Sequence, residues 1–256
     1  GVYLFSSAYN NSVYDNRVIV NSTTSGAILY GIQLQGNVYS NYIYKNYIKA
    51  DQEFSCGAYG MYLDLNVSNN SIYDNIMIGG GGRNCGGEQS VGIYVQRNSY
   101  GNLIYNNNIT AISELDPGGA PALPYGVWLN GQNTSNNSIY NNNITAIKKE
   151  AVESGTFYSI YIADNLNNIY NNNIVADGPR TDDAYGVFLI GDENSAYNNK
   201  ITVAGGGGVN TYISVGIETN SNSTVYGNSI TVSRSGTGTF SGEPNSYGIN
   251  IDGPSN

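Results

Sequence analysis

An asparagine followed two residues later by an apolar residue recurs along the whole chain at a nearly fixed interval. These asparagines are Asn16, Asn46, Asn75, Asn107, Asn142, Asn172, Asn199 and Asn228. Successive members lie 30, 29, 32, 35, 30, 27 and 29 residues apart. A period near thirty indicates a solenoid. Because β-branched residues, tyrosine, asparagine and glycine fill the repeat while helix formers are scarce, each unit is predicted to consist of strands and tight turns.

A glycine signature opens the units, as in Gly60-Met-Tyr-Leu63 and Gly92-Ile-Tyr-Val95. The first and third residues after the glycine are apolar in most units and are predicted to point inward, while the second points outward. A second strand is predicted at the Ile-Tyr pair and a third after the recurring asparagine. Each unit therefore provides three strands for one turn of a coil.

The apolar residue three positions before each recurring asparagine lies one residue too early for uniform alternation, as Ile72 does before Asn75. The chain must therefore turn a corner there. Asparagine tolerates a left-handed backbone at such corners, and stacked copies can hydrogen-bond one another. We interpret these residues as a structural asparagine ladder and not as ligands.

The pattern Asn-x-Ile-x-x-Asn-x-Ile resembles the right-handed parallel β-helix repeat of the pectate-lyase-like superfold, from Gly1 to Ile251. The resemblance implies a single-stranded all-β helix of about eight coils with three strands each. That superfold includes polysaccharide lyases, hydrolases, epimerases, phage tailspikes, adhesins and surface-layer proteins. Function must therefore be argued from sites.

Composition narrows the class of protein. The unbroken repeat predicts a single domain over residues 1–256. Charged residues are only 11% and the net charge is -9 with scattered basic residues, which argues against a nucleic-acid partner. No apolar run is long enough to span a bilayer. The chain begins at Gly1 inside a strand signature, so we expect either that a leader has been removed or that the numbering is that of a processed chain.

Two features predict an extracellular location. Nine Asn-x-Ser/Thr sequons occur, and those in expected turns are candidate glycosylation sites: Asn21, Asn66, Asn69 and Asn133. Asn108 and Asn143 adjoin the ladder and are expected to be poorly accessible. Cys56 and Cys85 fall in equivalent connections of consecutive units, which places them within reach of a disulfide, with two free thiols as the alternative.

Two outward columns are aromatic. The residue after the second-strand apolar position is tyrosine in all eight units, from Tyr14 to Tyr226. The outward position of the glycine signature is aromatic in six units: Tyr3, Tyr62, Tyr94, Trp128, Tyr161 and Phe188. Such columns form stacked ladders. An exposed column could also bind sugars or a neighbouring subunit, and the Trp128 column is the better interface candidate.

Histidine is absent, which excludes Ser-His-Asp and Cys-His nucleophile systems and most catalytic zinc sites. Lyase-like members of the superfold use calcium-binding aspartates with a basic residue, and the nearest counterpart is Arg180 beside Asp182 and Asp183. A glycosidase would need two carboxylates about 5–10 Å apart. Asp15 and Asp74 occupy equivalent sites two rungs apart. With Lys45 between them, they read more simply as a surface charge ladder. We predict no catalytic residue, no metal site and no cofactor.

The favoured hypothesis is a non-enzymatic extracellular structural protein, specifically a filament or surface-layer subunit. Val2 and Leu4 at one end and Ile249 and Ile251 at the other belong to strand signatures without visible caps, so copies stacked head to tail would cover them. The partner is then a second copy of the chain, with N-linked glycans or a surface polysaccharide as further partners. The alternatives are a carbohydrate-binding or carbohydrate-active β-helix, and a trimeric tailspike.

Overall fold

The chain folds into a parallel β-solenoid with three strands in each coil. The computed structural model describes residues 1–22, 26–52, 57–81, 89–113, 123–149, 155–179, 183–205, 213–233 and 246–252, and within these segments it contains 25 strands and no helix. Consecutive strands enter three different sheets in turn, and neighbours within each sheet pair in parallel. The fold class and the three strands per coil predicted from the repeat are confirmed.

Each sheet collects the equivalent strand of every coil. Sheet one has nine strands: β1 (Val2–Phe5), β4 (Ile28–Gln35), β7 (Gly57–Asp64), β10 (Gln89–Val95), β13 (Leu123–Leu129), β16 (Thr156–Ile162), β19 (Asp183–Leu189), β22 (Ser214–Thr219) and β25 (Ser246–Ile251). Sheet two has eight: β2 (Ser12–Tyr14), β5 (Tyr42–Tyr44), β8 (Ser71–Tyr73), β11 (Leu103–Tyr105), β14 (Ser138–Tyr140), β17 (Asn168–Tyr170), β20 (Ser195–Tyr197) and β23 (Thr224–Tyr226). Sheet three has eight: β3 (Arg17–Ser22), β6 (Tyr47–Gln52), β9 (Ile76–Gly81), β12 (Asn108–Ser113), β15 (Asn143–Lys148), β18 (Asn173–Asp177), β21 (Lys200–Ala204) and β24 (Ser229–Ser233).

The interior is a stack of aliphatic side chains, because equivalent residues of successive coils lie in register. Ile104 pairs with Ile139 in sheet two, and Ile109 pairs with Ile144 in sheet three. All four are fully buried. Burying one such side chain stabilises the fold by about 1.5–3 kcal/mol, so the repeated isoleucines supply much of the driving force for coiling.

The glycine of the opening signature is required by close packing inside the coil. A Cβ on Gly92 would lie 2.3 Å from Ile109 Cγ2 and 2.6 Å from the carbonyl oxygen of Gly126 in the next coil. Because two backbones and a core isoleucine meet there, no larger residue fits without a backbone shift. Ser159 replaces glycine in one coil, where its hydroxyl donates a hydrogen bond to the Val175 carbonyl oxygen over 2.6 Å.

Loop length is constant at one corner of the coil and varies at the other two. Two residues separate the sheet-two strand from the sheet-three strand in all eight coils. The connections from sheet one to sheet two have four to eight residues, and those from sheet three back to sheet one have four to twelve. The corner at the recurring asparagine is therefore constant, while the other two corners accept insertions.

Candidate functional site

The eight predicted ladder asparagines form one continuous hydrogen-bonded column between sheets two and three. Each Nδ2 donates to Oδ1 of the asparagine in the next coil, over 3.0–3.1 Å. The backbone N–H of the earlier asparagine donates to that same Oδ1, as Asn75 does to Asn107 over 3.0 Å. The same Nδ2 also donates to a carbonyl oxygen of the preceding coil, as Asn107 does to Ile72 over 2.9 Å. The column thus satisfies backbone groups that the corner removes from the sheets.

A second asparagine ladder, which the sequence reasoning did not identify, runs between sheets one and two. Its members are Asn11, Asn41, Asn70, Asn102, Asn137, Asn167 and Asn194. Each backbone N–H donates to the Oδ1 of the next member, over 2.9–3.1 Å. The signal was present, since each member lies five residues before a member of the first ladder. Ser223 takes the equivalent position in the eighth coil.

The left-handed backbone at each corner belongs to the residue before the ladder asparagine, not to the asparagine itself. Before the first ladder, Asp15, Lys45 and Asp74 have φ of 54°, 54° and 55°. Before the second, Asn10, Asn69 and Asn136 have φ of 53°, 53° and 55°. The expectation that the ladder asparagines adopt this conformation is therefore wrong. The ladder position requires the side-chain amide, and the residue before it adopts the left-handed conformation that turns the chain.

The outward tyrosines of sheet two form a continuous stack of eight rings: Tyr14, Tyr44, Tyr73, Tyr105, Tyr140, Tyr170, Tyr197 and Tyr226. Adjacent ring centroids lie 4.9–5.0 Å apart with interplanar angles of 1–8°. Each ring face is covered by its neighbour except at the ends, where Tyr14 and Tyr226 are 50% and 54% exposed. Such stacking stabilises a rod by about 0.5–1.5 kcal/mol per pair, and it leaves little flat surface for a sugar ring.

The predicted Trp128 column lies on the outer face of sheet one and is not an open strip over most of its length. Tyr3 is 52% exposed, whereas Tyr62, Tyr94 and Trp128 are buried at 8–9% exposure. Tyr161 and Phe188 are half-buried. The expectation of an exposed strip fails for the three central rings, because a second aromatic column packs beside them: Tyr30, Tyr59, Tyr125, Tyr158 and Tyr185.

Trp128 is the centre of this aromatic face. Its ring stacks on Tyr94 at 4.3 Å and on Tyr125 at 4.5 Å, and it meets the edge of Tyr161 at 6.3 Å. Its Nε1 is buried and has no hydrogen-bond acceptor among the described residues. Leaving a buried donor unpaired costs about 1–3 kcal/mol, which makes this nitrogen the most conspicuous unsatisfied group on the face.

Polar groups border the aromatic face on one side. Asp64 is fully buried and pairs with Arg97, whose Nε donates to Asp64 Oδ1 over 2.6 Å and whose Nη2 donates to Oδ2. Gln35 Nε2 donates to the same Oδ2 over 3.1 Å. Because this carboxylate is bound by a bidentate guanidinium and an amide, it serves as a structural anion and not as a free base.

Burial changes the acidity of the aromatic face. It raises the pKa of Tyr94 to about 12, against a hydrogen bond from Asn130 that lowers it. It also raises the pKa of Tyr125 to about 12, with smaller contributions from Tyr161 and Tyr94. Burial is also the main reason that the pKa of Asp183 is raised, although the Ile213 N–H donates to its Oδ1 over 2.8 Å. The phenols of Tyr94 and Tyr125 therefore remain neutral near pH 7 and are suited to packing.

The structure does not assemble the predicted carboxylates into a site. Asp15 and Asp74 are exposed corner residues separated by Lys45. Asp183 begins β19, while Arg180 and Asp182 lie outside the described residues. Within the described ranges, no group of three or more Asp, Glu or Cys residues could hold a metal ion.

The candidate disulfide, Cys56 with Cys85, also lies outside the described residues. The candidate glycosylation residues Asn21, Asn66, Asn69 and Asn133 are all exposed. Asn108 and Asn143 are exposed as well, so the expectation that the ladder shields them is wrong. The reason is alternation, because each begins a sheet-three strand with its side chain outward.

The two ends of the coil differ in exposure. Leu4 is buried and Val2 is half-buried, whereas Ile249 is 47% exposed and Ile251 is 72% exposed. Leu4 pairs with Leu34 of the next coil, while β25 has a neighbour on one side only among the described strands. In the part of the chain that the structure describes, no helix has the length and apolarity to cross a membrane.

Comparisons with protein-family models, with curated proteins and with solved structures gave no match to this chain.

Proposed function

We propose that this chain is a non-enzymatic extracellular structural protein, a filament or surface-layer subunit that stacks end to end through β1 and β25. The observation that carries the proposal is the apolar face of β25, where Ile249 and Ile251 point along the interior column but remain uncovered. Exposed inward-facing isoleucines on a strand with an open edge favour addition of another strand.

The register of that addition follows from the pairs inside the solenoid. Ile217 pairs with Ile249 and Thr219 with Ile251, and at the other end Val2 pairs with Ile32 and Leu4 with Leu34. Continuing the same register places Ile249 beside Val2 and Ile251 beside Leu4 of a second copy. Such a contact is heterologous and does not close, so it generates a fibre.

Sheet one determines the spacing of that fibre. It has nine strands and the other two sheets have eight. A junction between β25 and β1 is therefore continuous in sheet one and one strand short in sheets two and three. Rigidity along each subunit is supported by the two asparagine ladders and the tyrosine stack, which suits a rod.

Within the parallel β-solenoids, we assign the chain to the pectate-lyase-like type of repeat and to the cell exterior. Support comes from the three-sheet coil with asparagine ladders and from the nine exposed sequon asparagines. The low content of charged residues agrees with a surface built from Asn, Ser, Thr and Tyr.

A single methyl group tests the proposed junction. A Cβ on Gly216 would lie 2.5 Å from the carbonyl oxygen of Gly248, whereas a Cβ on Gly248 meets no atom within 4 Å. In the fibre, Gly248 would face Gly1 of the next copy as Gly216 faces Gly248. We therefore expect Gly248→Ala to leave the fold unchanged by circular dichroism and to abolish fibres in negative-stain electron microscopy.

Ile249→Asp is the second variant, since it places an unpaired carboxylate in the same apolar junction. Normal assembly of either folded variant would rule out the β25–β1 contact. Wild-type protein that stays monodisperse under all conditions would rule out the filament itself.

The second candidate function is carbohydrate binding at the aromatic face of sheet one. One observation favours it, the unpaired Nε1–H of buried Trp128, which could donate a hydrogen bond to a hydroxyl oxygen of a sugar. A glycan-binding screen of the wild type against Trp128→Phe, which keeps an aromatic ring and removes the N–H, tests this candidate. Equal binding by both proteins, or none by either, would contradict it.

A further inference from the structure

The corner between sheets one and two carries sequons in alternate coils. Asn10-Asn11-Ser12, Asn69-Asn70-Ser71 and Asn136-Asn137-Ser138 occupy the same position in coils one, three and five. The first asparagine of each has a left-handed backbone and an exposed side chain. The second is the ladder member that fixes the corner through hydrogen bonds. The three acceptor asparagines are thus held at one edge in one conformation.

The residues between these asparagines are small. Ser40 occupies the position in coil two and Gly101 in coil four, both with positive φ. Neighbouring rungs of a sheet lie about 4.8 Å apart, so the sequon asparagines are about 10 Å apart. Sugars on consecutive rungs would collide, whereas sugars on alternate rungs with serine or glycine between them have room.

The side-chain amide nitrogens of Asn10, Asn69 and Asn136 are available to accept a glycan. The side chains of Asn10 and Asn69 make no hydrogen bond with the described residues, and Asn136 Nδ2 has only a 3.4 Å contact with Ser135 Oγ. Asn69 Oδ1 lies 2.6 Å from the point that a Cβ on Gly101 would occupy. Glycine in coil four thus makes space for the oxygen of this amide.

Asn66 and Asn133, which lie three residues before Asn69 and Asn136, differ from them because their side-chain amides are hydrogen-bonded. The Nδ2 of Asn66 donates to Asn37 Oδ1 over 3.1 Å, and the Nδ2 of Asn133 donates to Asn98 Oδ1 over 2.8 Å. Their amides already bond to a neighbouring coil. The column of Asn10, Asn69 and Asn136 is therefore the better set of acceptors.

We propose that Asn10, Asn69 and Asn136 carry N-linked glycans, which form a comb along the edge between sheets one and two. In the transfer, an N–H bond of Nδ2 breaks and an N–C bond forms to the anomeric carbon of a polyprenyl-phosphate-linked oligosaccharide. The polyprenyl phosphate leaves with the electron pair, and the proton passes to solvent. The inference rests on the extracellular part of the proposed function, and it makes this edge solvent-facing in any assembly.

Secretion of the full chain through an N-glycosylating pathway, followed by peptide mapping, tests the comb. We expect glycans on all three asparagines, and a mass lower by one glycan for each of Ser12→Ala, Ser71→Ala and Ser138→Ala. Ser195→Ala is the matched control, because Ser195 follows ladder residue Asn194 at the equivalent position without a sequon, so the glycan mass should be unchanged.

The absence of a detectable glycan at any one of the three asparagines would overturn the inference. A secreted chain that forms fibres but lacks these glycans would reject the comb and keep the filament. A chain that is glycosylated at all three positions but never forms fibres would reject the filament and keep the comb.

Discussion

Replacing one buried ladder asparagine should destabilise the fold far more than replacing the exposed asparagine next to it. Asn107 accepts two hydrogen bonds from Asn75 at Oδ1, and its Nδ2 donates to the Ile72 carbonyl oxygen and to Asn142 Oδ1. In Asn107→Ala, the Asn142 oxygen keeps the Asn107 backbone N–H at 2.9 Å. The Asn75 side chain keeps its bonds to the Ile43 and Tyr73 carbonyl oxygens.

One group loses its only partner in this variant, the backbone N–H of Asn75. The carbonyl oxygen of Ile72 loses the bond from Asn107 and remains paired with β11 in sheet two. Asn75 is 1% exposed and Ile72 is fully buried, so water does not replace the lost bonds. At about 1–3 kcal/mol for the unsatisfied N–H and about 1 kcal/mol for the lost bond to Ile72, the free energy of unfolding should fall by about 2–4 kcal/mol. Asn108 is exposed and its side chain makes no hydrogen bond with the described residues, so Asn108→Ala should change stability by about 0.5 kcal/mol or less.

Guanidinium denaturation of the two variants beside the wild type measures the difference by linear extrapolation. Asn107→Asp adds a further comparison, since it keeps the acceptor oxygen and loses both donated bonds, and it should also be strongly destabilised at neutral pH. Equal stability of Asn107→Ala and Asn108→Ala would refute the conclusion that the ladder amides hold the corner.

Three further outcomes follow from the same geometry. Gly92→Ala should lower the free energy of unfolding by about 3 kcal/mol or more in the same denaturation assay, because its Cβ would lie 2.3 Å from Ile109 Cγ2. Gly248→Ala should leave it unchanged, and equal losses would contradict the packing argument. Leu166→Asn should raise stability by about 0.5–1 kcal/mol, since Leu166 has φ of 60°, whereas Leu103→Asn, at a similarly exposed strand position, should not. Because burial raises the pKa of Tyr94 and Tyr125 from 10.0 to about 12, the folded state retains protons that the unfolded state releases, so stability present below pH 10 should be lost between pH 10 and 12. Each phenol should contribute on the order of 3 kcal/mol to that loss, and an unchanged alkaline slope in Tyr125→Phe would contradict its assignment.

The repeat made the coil predictable because each inward position is a side chain whose burial drives folding. The residues after the opening glycine, such as Ile93 and Val95, are fully buried as the alternation predicted. The register of the recurring asparagines placed the first ladder between the correct strands. The second ladder was missed although its members meet the same criterion, since Asn102 is followed two positions later by Ile104. Only the second asparagine of the Asn-x-Ile-x-x-Asn-x-Ile pattern was assigned to a ladder.

Other features depend on contacts that sequence spacing does not express. The left-handed position before the ladder asparagines holds aspartate, lysine, asparagine, serine, leucine, glutamate or glycine, so residue type gives no consistent signal for it. The burial of Trp128 depends on Tyr125, which lies three residues earlier on the same strand and stacks on it. The regular pairing with β10 is interrupted at Gly126, between these two residues. Alternation alone places those two residues on opposite faces.

The axial repeat of purified assemblies tests the filament proposal most directly. For assemblies of this 256-residue chain, the nine sheet-one strands of its described residues at about 4.8 Å each give an axial rise of about 43 Å. Helical reconstruction from electron micrographs should show this rise, with strands stacked along the fibre axis. A rise that does not correspond to nine strand spacings, or strands running parallel to the fibre axis, would contradict end-to-end stacking through β25 and β1.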